Sequence, residues 1–383
     1  FIMRAAGKVM GIIMKNILTF LEENAIKYKD KTAFVDLNDS VTYAELLARA
    51  QSIGSALSKT GTKNKPVAVY FDKCVNTISA MLGVVYSGNF YVVIDSEMPP
   101  ARINKIFGAL SPVAVITDKK HHENALQLEF SGEIFDLEEA LSCEINSEKL
   151  AQIRSRQIDT DPLYALFTSG STGVPKGAVV SHKSVMAYSE WVSNTFDITS
   201  ETVFANQTPF YFSMSVTDVY STLRNGATLA IVPKMYFSFP IKLVEFLDEY
   251  KANTIYWVPS AISMVSNFKV FDFQKPKYLN KVLFAGEVMP TKQLNYWINN
   301  LPENTLFANL YGPTETTDIC TYYVVNRKFR DDEPLPIGRH CDNCDVMIVN
   351  DKGVEAQPGE EGELYARGSF LASGYYNNPE KTK

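Results

Sequence analysis

No stretch of the 383 residues approaches the roughly 18 consecutive apolar residues that a membrane-crossing helix needs, so no membrane partner is expected. There is no surplus of positive charge either: 37 Lys and Arg face 43 Asp and Glu, a net charge of −6. That balance argues against a nucleic-acid partner, whose phosphates demand a basic face. Cysteine is scarce and odd in number. The five (Cys74, Cys143, Cys320, Cys341, Cys344) are scattered, which argues against a disulfide framework and suits a reducing compartment, the cytoplasm. Cys341 and Cys344 form a lone CxxC. A zinc site would need a second ligand pair, and His340 alone is nearby. There is no repeat of fixed period and no low-complexity tract.

What is present is the texture of an α/β protein. The length exceeds that of a single core, so two or more subdomains are expected. Asn16 can cap a helix with Leu18, Leu21, Ala25 and Tyr28 at helical spacing. Thr42 and Glu45 form a capping box before the apolar positions Leu46 to Leu57. Short apolar runs near 67–71, 91–94 and 113–117 alternate with helical patterns, the signature of a covered, mostly parallel sheet. A second alternating set has strands near 203–206, 227–232, 254–258, 281–285 and 306–310. From about Thr321 the texture turns β-rich. The first thirteen residues read as a leader, an expression remnant or a short helix.

The most informative stretch is Leu166 to Val180, LFTSGSTGVPKGAVV. An apolar strand feeds a loop of small and hydroxyl residues that ends in a lysine, and a second apolar strand follows. Small side chains let backbone N–H groups approach an anion, and Lys176 adds charge. Such a loop is either a polyphosphate cradle or a plain flexible surface turn. It is not a P-loop, because Pro175 stands where the second glycine belongs and Gly177 follows the lysine. The second stretch is Asn309 to Thr317, NLYGPTETT. Tyr311 offers a flat ring, Asn309 an amide and Glu315 a carboxylate able to hold Mg²⁺. Its plain reading is a strand-end turn with a capping Thr314.

Together, TSGSTGVPKG and the downstream YGPTE resemble the adenylate-forming (AMP-binding) superfamily. Three further segments agree: Val41 to Leu46, Gly88 to Asp95, and Gly362-Glu363-Leu364 with Gly374-Tyr375. The match leans to amino-acid adenylation domains of nonribosomal peptide synthetases and to D-alanine–carrier protein ligases, through Pro209 to Tyr220 (PFYFSMSVTDVY). The resemblance implies two mostly parallel sheets flanked by helices plus a smaller β-rich subdomain. Residues 1–15 would precede it. The first α/β subdomain would span 16–195, the second 196–320, and the β-rich piece 321–383.

The resemblance also implies an activity and a site. The activity is ATP-dependent activation of a small carboxylic acid as an acyl-adenylate, followed by transfer to a carrier-protein thiol. Thr168, Ser169, Gly170, Ser171, Thr172, Gly173 and Lys176 would hold the phosphates, with Thr172 and Glu315 on Mg²⁺. Thr168, Lys176 and Glu315 would serve catalysis. Gly286, Glu287, Asn309, Leu310, Tyr311, Gly312 and Thr314 would surround the adenine. Phe212, Ser213, Met214, Thr217, Trp257, Leu283, Ala285, Leu310, Asp318 and Ile319 would line the acyl pocket. His182 stands where the family often has histidine, and equally fits a first-turn helix position.

One departure matters. Ser213 stands where the amino-acid-activating members place an Asp for the substrate ammonium. Asp318 is the only acid left among the pocket positions. It takes over an amine from another wall, accepts a substrate hydroxyl, or caps a turn. The family's ribose-binding Asp and its C-terminal lid domain are not found, so the sequence reads as the large N-terminal domain alone. A weakly active piece with a mobile phosphate loop is therefore expected. Alternatives are an acyl- or aryl-CoA ligase and a non-catalytic nucleotide-binding domain.

Overall fold

The computed structural model describes residues 16–168 and 175–383. In chain order, strands β1 (Thr32–Val35), β2 (Ser40–Thr42), β3 (Pro66–Phe71), β4 (Phe90–Asp95), β5 (Ala114–Thr117) and β6 (Glu133–Asp136) come first. Then follow β7 (Pro162–Thr168), β8 (Lys176–Ser181), β9 (Val203–Asn206), β10 (Thr228–Ile231), β11 (Thr254–Trp257), β12 (Lys281–Phe284) and β13 (Leu306–Tyr311). The last five are β14 (Thr321–Val324), β15 (Arg339–His340), β16 (Cys344–Val349), β17 (Glu363–Gly368) and β18 (Gly374–Tyr375).

They form two large sheets and one small one. A nine-stranded sheet runs β15-β14-β13-β12-β11-β9-β10-β1-β2, and a seven-stranded sheet runs β18-β8-β7-β4-β3-β5-β6. The nine-stranded sheet is parallel through its middle and antiparallel at both edges, whereas the seven-stranded sheet is antiparallel only at its β18–β8–β7 edge and ends in the parallel pair β5–β6. β16 and β17 pair antiparallel by themselves. The sheets cross the chain boundaries expected from sequence. β1 and β2, from the first part of the chain, extend the nine-stranded sheet beside β10, and β18 returns to pair with β8. The β texture after Thr321 begins as β14 and β15, which close the nine-stranded sheet, and only then becomes a separate hairpin.

Apolar burial explains the layering. One core cluster lies between the sheets, taking Val69, Tyr91, Phe204, Tyr256 and Leu283 together with the helices Tyr43–Leu57, Val75–Tyr86, His182–Thr195 and Ser215–Asn225. The outer face of the nine-stranded sheet (Ala205, Trp257, Val282, Phe284) is covered by helices Pro240–Glu249, Pro259–Asn267 and Thr291–Asn300. The outer face of the seven-stranded sheet packs under helix Pro100–Leu110. Strands buried on both faces need continuous apolar runs, which is what the sequence supplies. The capping box forms as read: Thr42 accepts from the Glu45 N–H, and the Glu45 carboxylate accepts from the Thr42 N–H at 2.8 Å. Asn16 Oδ1 accepts from the Leu18 N–H at the start of the helix Leu18–Lys27.

Candidate functional site

The C-terminal ends of β11, β12 and β13 carry most of the residues picked out by the sequence. Side chains alternate across a strand, and the alternation decides which of them meet. Tyr256, Leu283, Ala285, Ala308 and Leu310 turn to the core between the sheets, where Met214 and Ile319 also lie. Trp257 turns the other way. It packs edge-on against Phe237 and Trp297, and its Nε1 donates to the Ala205 carbonyl at 2.8 Å. Trp257 thus joins the core under the outer helices, and Tyr256 occupies the position facing the core between the sheets. Phe212 is 55 % exposed, and its ring leans on Tyr211.

Asp318 is the centre of the inward cluster. Its neighbour Thr317 adopts a φ of 69°, unusual for a branched residue. The Thr317 hydroxyl donates to the Phe370 carbonyl at 2.5 Å, which holds the turn. The Asp318 carboxylate is 1 % exposed. Its Oδ2 accepts from Thr217 Oγ1 at 2.8 Å, Tyr256 OH at 2.9 Å and Tyr188 OH at 3.0 Å. The nearby Ser213 hydroxyl also favours the charged form of the carboxyl. Burial pushes the carboxyl up to about 6, and the four hydroxyls pull against that rise. Burial and the Asp318 charge together raise the Tyr188 and Tyr256 phenols well above their ordinary range. Asp318 thus does more than cap a turn.

The adenine candidates border this cluster. Gly312 has no room for a side chain: a Cβ there would sit 2.4 Å from the Asp318 carbonyl oxygen. The turn after β13 is thereby pressed onto the Asp318 backbone, while the Tyr311 ring stands 45 % exposed. Leu310 is buried in the core. Asn309 Nδ2 donates to the Pro336 carbonyl at 2.8 Å, so a base would meet the Oδ1 side of that amide. Gly286 has a φ of 89°, and a Cβ there would lie 3.3 Å from Met214 Sδ. Glu287 is engaged elsewhere, accepting from the Ser260 N–H at 2.8 Å and the Ser260 hydroxyl at 3.1 Å, at the start of helix Pro259–Asn267.

The phosphate and metal candidates meet through Tyr375. Thr314 and Glu315 lie in the short turn Thr314–Thr316. The Tyr375 hydroxyl donates to Glu315 Oε1 at 2.5 Å, and Lys176 Nζ stands 5.4 Å from the centre of the Tyr375 ring. Burial, then the Glu315 carboxylate, pushes the Tyr375 phenol up to about 12. The Ala372 N–H also donates to the Glu315 carbonyl at 2.7 Å. The pairing of β18 with β8 brings these groups together. The calls on the Thr168 side chain and on Ser169, Gly170, Ser171, Thr172 and Gly173 lie outside the described residues, as does the expected mobility of that loop. His182 is 1 % exposed at the start of helix His182–Thr195, and burial drives its imidazole down to about 3.

Sequence reasoning missed Tyr188 and Tyr256 as members of the cluster. The available signal was a hydroxyl on an otherwise apolar face, since a buried phenol needs a hydrogen-bond partner. Tyr375 was noted only as part of a motif. Among the described residues, no group of three or more His, Cys, Asp or Glu is placed to hold a metal ion by itself. No described helix is long and apolar enough to cross a membrane.

Known proteins agree with this architecture. The chain is 30 % identical over 361 residues to a D-alanine–D-alanyl carrier protein ligase of Bacillus velezensis, covering 92 % of this chain and 69 % of that protein. It is 29 % identical over 392 residues to an L-proline–[L-prolyl-carrier protein] ligase of Streptomyces coelicolor, covering 97 % and 73 %. Its fold matches a nonribosomal peptide synthetase structure with a TM-score of 0.85 at 22 % identity, over 96 % of this chain and 39 % of that one. It also matches the N-terminal subdomain of Klebsiella oxytoca NpsA with a TM-score of 0.80 at 17 % identity, over 96 % and 91 %. The AMP-binding enzyme family model matches residues 21–376, and the chain belongs to that family.

Proposed function

We propose that this chain activates a small amino acid or related acid with ATP, forming an acyl-adenylate and releasing pyrophosphate, and hands the acyl group to a carrier-protein phosphopantetheine thiol. The observation that carries this reading is the convergence of Lys176, Glu315 and Tyr311 beside the Asp318 cluster, at one end of β11 to β13. ATP supplies the leaving pyrophosphate when bound. The chain supplies no nucleophile; its residues orient and neutralise. Lys176 balances phosphate charge. The Glu315 carboxylate, of a hard oxygen type suited to Mg²⁺, would hold the metal once Tyr375 yields it. The exposed Tyr311 ring is a face on which adenine can stack, and Asn309 Oδ1 accepts from its amino group. The Thr172 share of the metal site falls in the segment outside the described residues. Five unbridged thiols fit a cytoplasmic setting.

The test is pyrophosphate exchange across α-amino, β-amino, hydroxy, aryl and fatty acids, followed by transfer to CoA or to a phosphopantetheinyl carrier. Exchange with small amino acids and transfer to the carrier are expected. Exchange confined to aryl or fatty acids with transfer to CoA would make it a CoA ligase. No exchange with any acid would leave a nucleotide-binding domain.

A further inference from the structure

We propose that Asp318 is a specificity-determining residue that anchors a cationic amine on the acid being activated. This rests on the adenylation reading and names its substrate class. Three separate parts of the fold aim hydroxyls at this one carboxylate: Tyr188 from helix His182–Thr195, Thr217 from helix Ser215–Asn225, and Tyr256 from β11. All three donors are neutral. Buried carboxylates are normally matched by a cation, because hydrogen bonds from neutral groups do not return the cost of desolvating a full charge. The cage is built around an anion and lacks a counter-charge, and an ammonium group of a ligand provides one through the stronger, charge-assisted kind of hydrogen bond.

The cage can also admit it. Tyr188 OH and Thr217 Oγ1 lie 2.7 Å apart, and either can donate to the other. When a better donor arrives, these hydroxyls turn from Asp318 to each other without being left unpaired. Ser213 is half-buried while Tyr188, Thr217 and Tyr256 are buried, so the Ser213 position is the least enclosed of the four. Met214, Leu283, Ile319 and the two tyrosine rings belong to one buried apolar cluster, a setting in which the carboxylate is the strong polar anchor. The substrate class is a short amino acid whose amine reaches Asp318.

The experiment compares each amino acid with its deamino and hydroxy analogues of the same carbon skeleton. Pyrophosphate exchange is measured on the wild type and on Asp318→Asn, with direct calorimetric binding of the same acids alongside. The wild type is expected to favour the amine-bearing acid about tenfold to a hundredfold, chiefly through KM, and Asp318→Asn is expected to collapse that ratio towards one. An unchanged ratio in Asp318→Asn overturns the proposal. So does a wild type that prefers the hydroxy or deamino analogue. If the variant does not fold, the wild-type ratio still decides. If the wild type exchanges with no acid, the adenylation reading fails, and calorimetry alone decides whether amines are bound selectively.

Discussion

Asp218 and Asp318 are both 1 % exposed, yet their surroundings differ. Asp218 accepts from Asn206 Nδ2 at 2.7 Å, and Asn206 Oδ1 in turn accepts from Lys73 Nζ at 2.9 Å. Lys73 also donates to the Asn206 and Gln207 carbonyls at 3.2 and 2.9 Å. This relay ties the loop after β3 to the end of β9, so it joins the two large sheets. Burial pushes Asp218 up to about 7 and Lys73 down to about 7, each tempered by the other's charge. Asp318 receives hydroxyls and no cation. The first carboxylate has a lysine within its relay through Asn206, although its Oδ1 is buried without a hydrogen-bond partner. The second keeps an unbalanced charge, which is the state of a group awaiting a ligand.

The sharpest way to break this contrast is by pH. The folded pKa of Asp318, about 6, lies above the ordinary 3.8. Folding therefore favours its protonated form. That contribution is complete below about pH 4 and is lost as pH rises through about 6. Denaturant titrations from about pH 4 to about pH 8 should show the wild type losing up to about 3 kcal/mol relative to Asp318→Asn. The titratable groups facing Asp318 (Tyr164, Tyr188, Tyr256 and Cys341) stay neutral throughout, since burial raises all of them. A gap independent of pH would erase the contrast.

Next in size is the cross-link. Lys73→Met leaves Asn206 and Asp218 without their cation and should cost about 2 kcal/mol in urea unfolding. A loss below about 0.5 kcal/mol would show that the relay is not a stability element. Within the cage, Tyr188→Phe removes one of the three hydrogen-bonded donors and should cost about 1 kcal/mol. Its larger signature is a further rise of the Asp318 pKa, read as an upward shift of the pH profile for amino-acid binding; a downward shift would contradict the cage. Smallest is Tyr375→Phe, which frees the partly buried Glu315 carboxylate and should change stability by about 0.5 kcal/mol. Mg-ATP binding to this variant should be as tight as wild type or tighter, and weaker binding would mean that Tyr375 helps hold the site rather than occupying it.

Much of the fold was legible because its strands are short, apolar on both faces and separated by capped helices. Val203–Asn206 falls where the pattern put it, and Ser181 caps its helix by accepting from the Ser184 N–H. Less legible was which strand joins which sheet. β1 pairs with β10, and β18 with β8, across nearly two hundred residues, and no local pattern encodes such pairings. In the site, Asp318 stood out as the only acid among apolar positions. Its donors did not, because Tyr188 lies on a helix 130 residues away and reads there as an ordinary core aromatic. Which of Tyr256 and Trp257 faces the core between the sheets was not legible, because a one-residue offset flips a strand side chain to the opposite face and motif spacing alone does not fix that parity.

That parity has a consequence for how the protein can change. Along β11 to β13, Tyr256, Leu283, Ala308 and Leu310 face the core between the sheets, while Ile255, Trp257, Val282, Phe284 and Phe307 face the helices behind the sheet. On the proposed reading, preference for a substrate and tolerance to mutation are written on alternate letters of the same three words. Variation at the first set can retune what is accepted while the outer core stays intact. Variation at the second set is paid in stability, and a saturation scan of these strands would read as a two-beat rhythm.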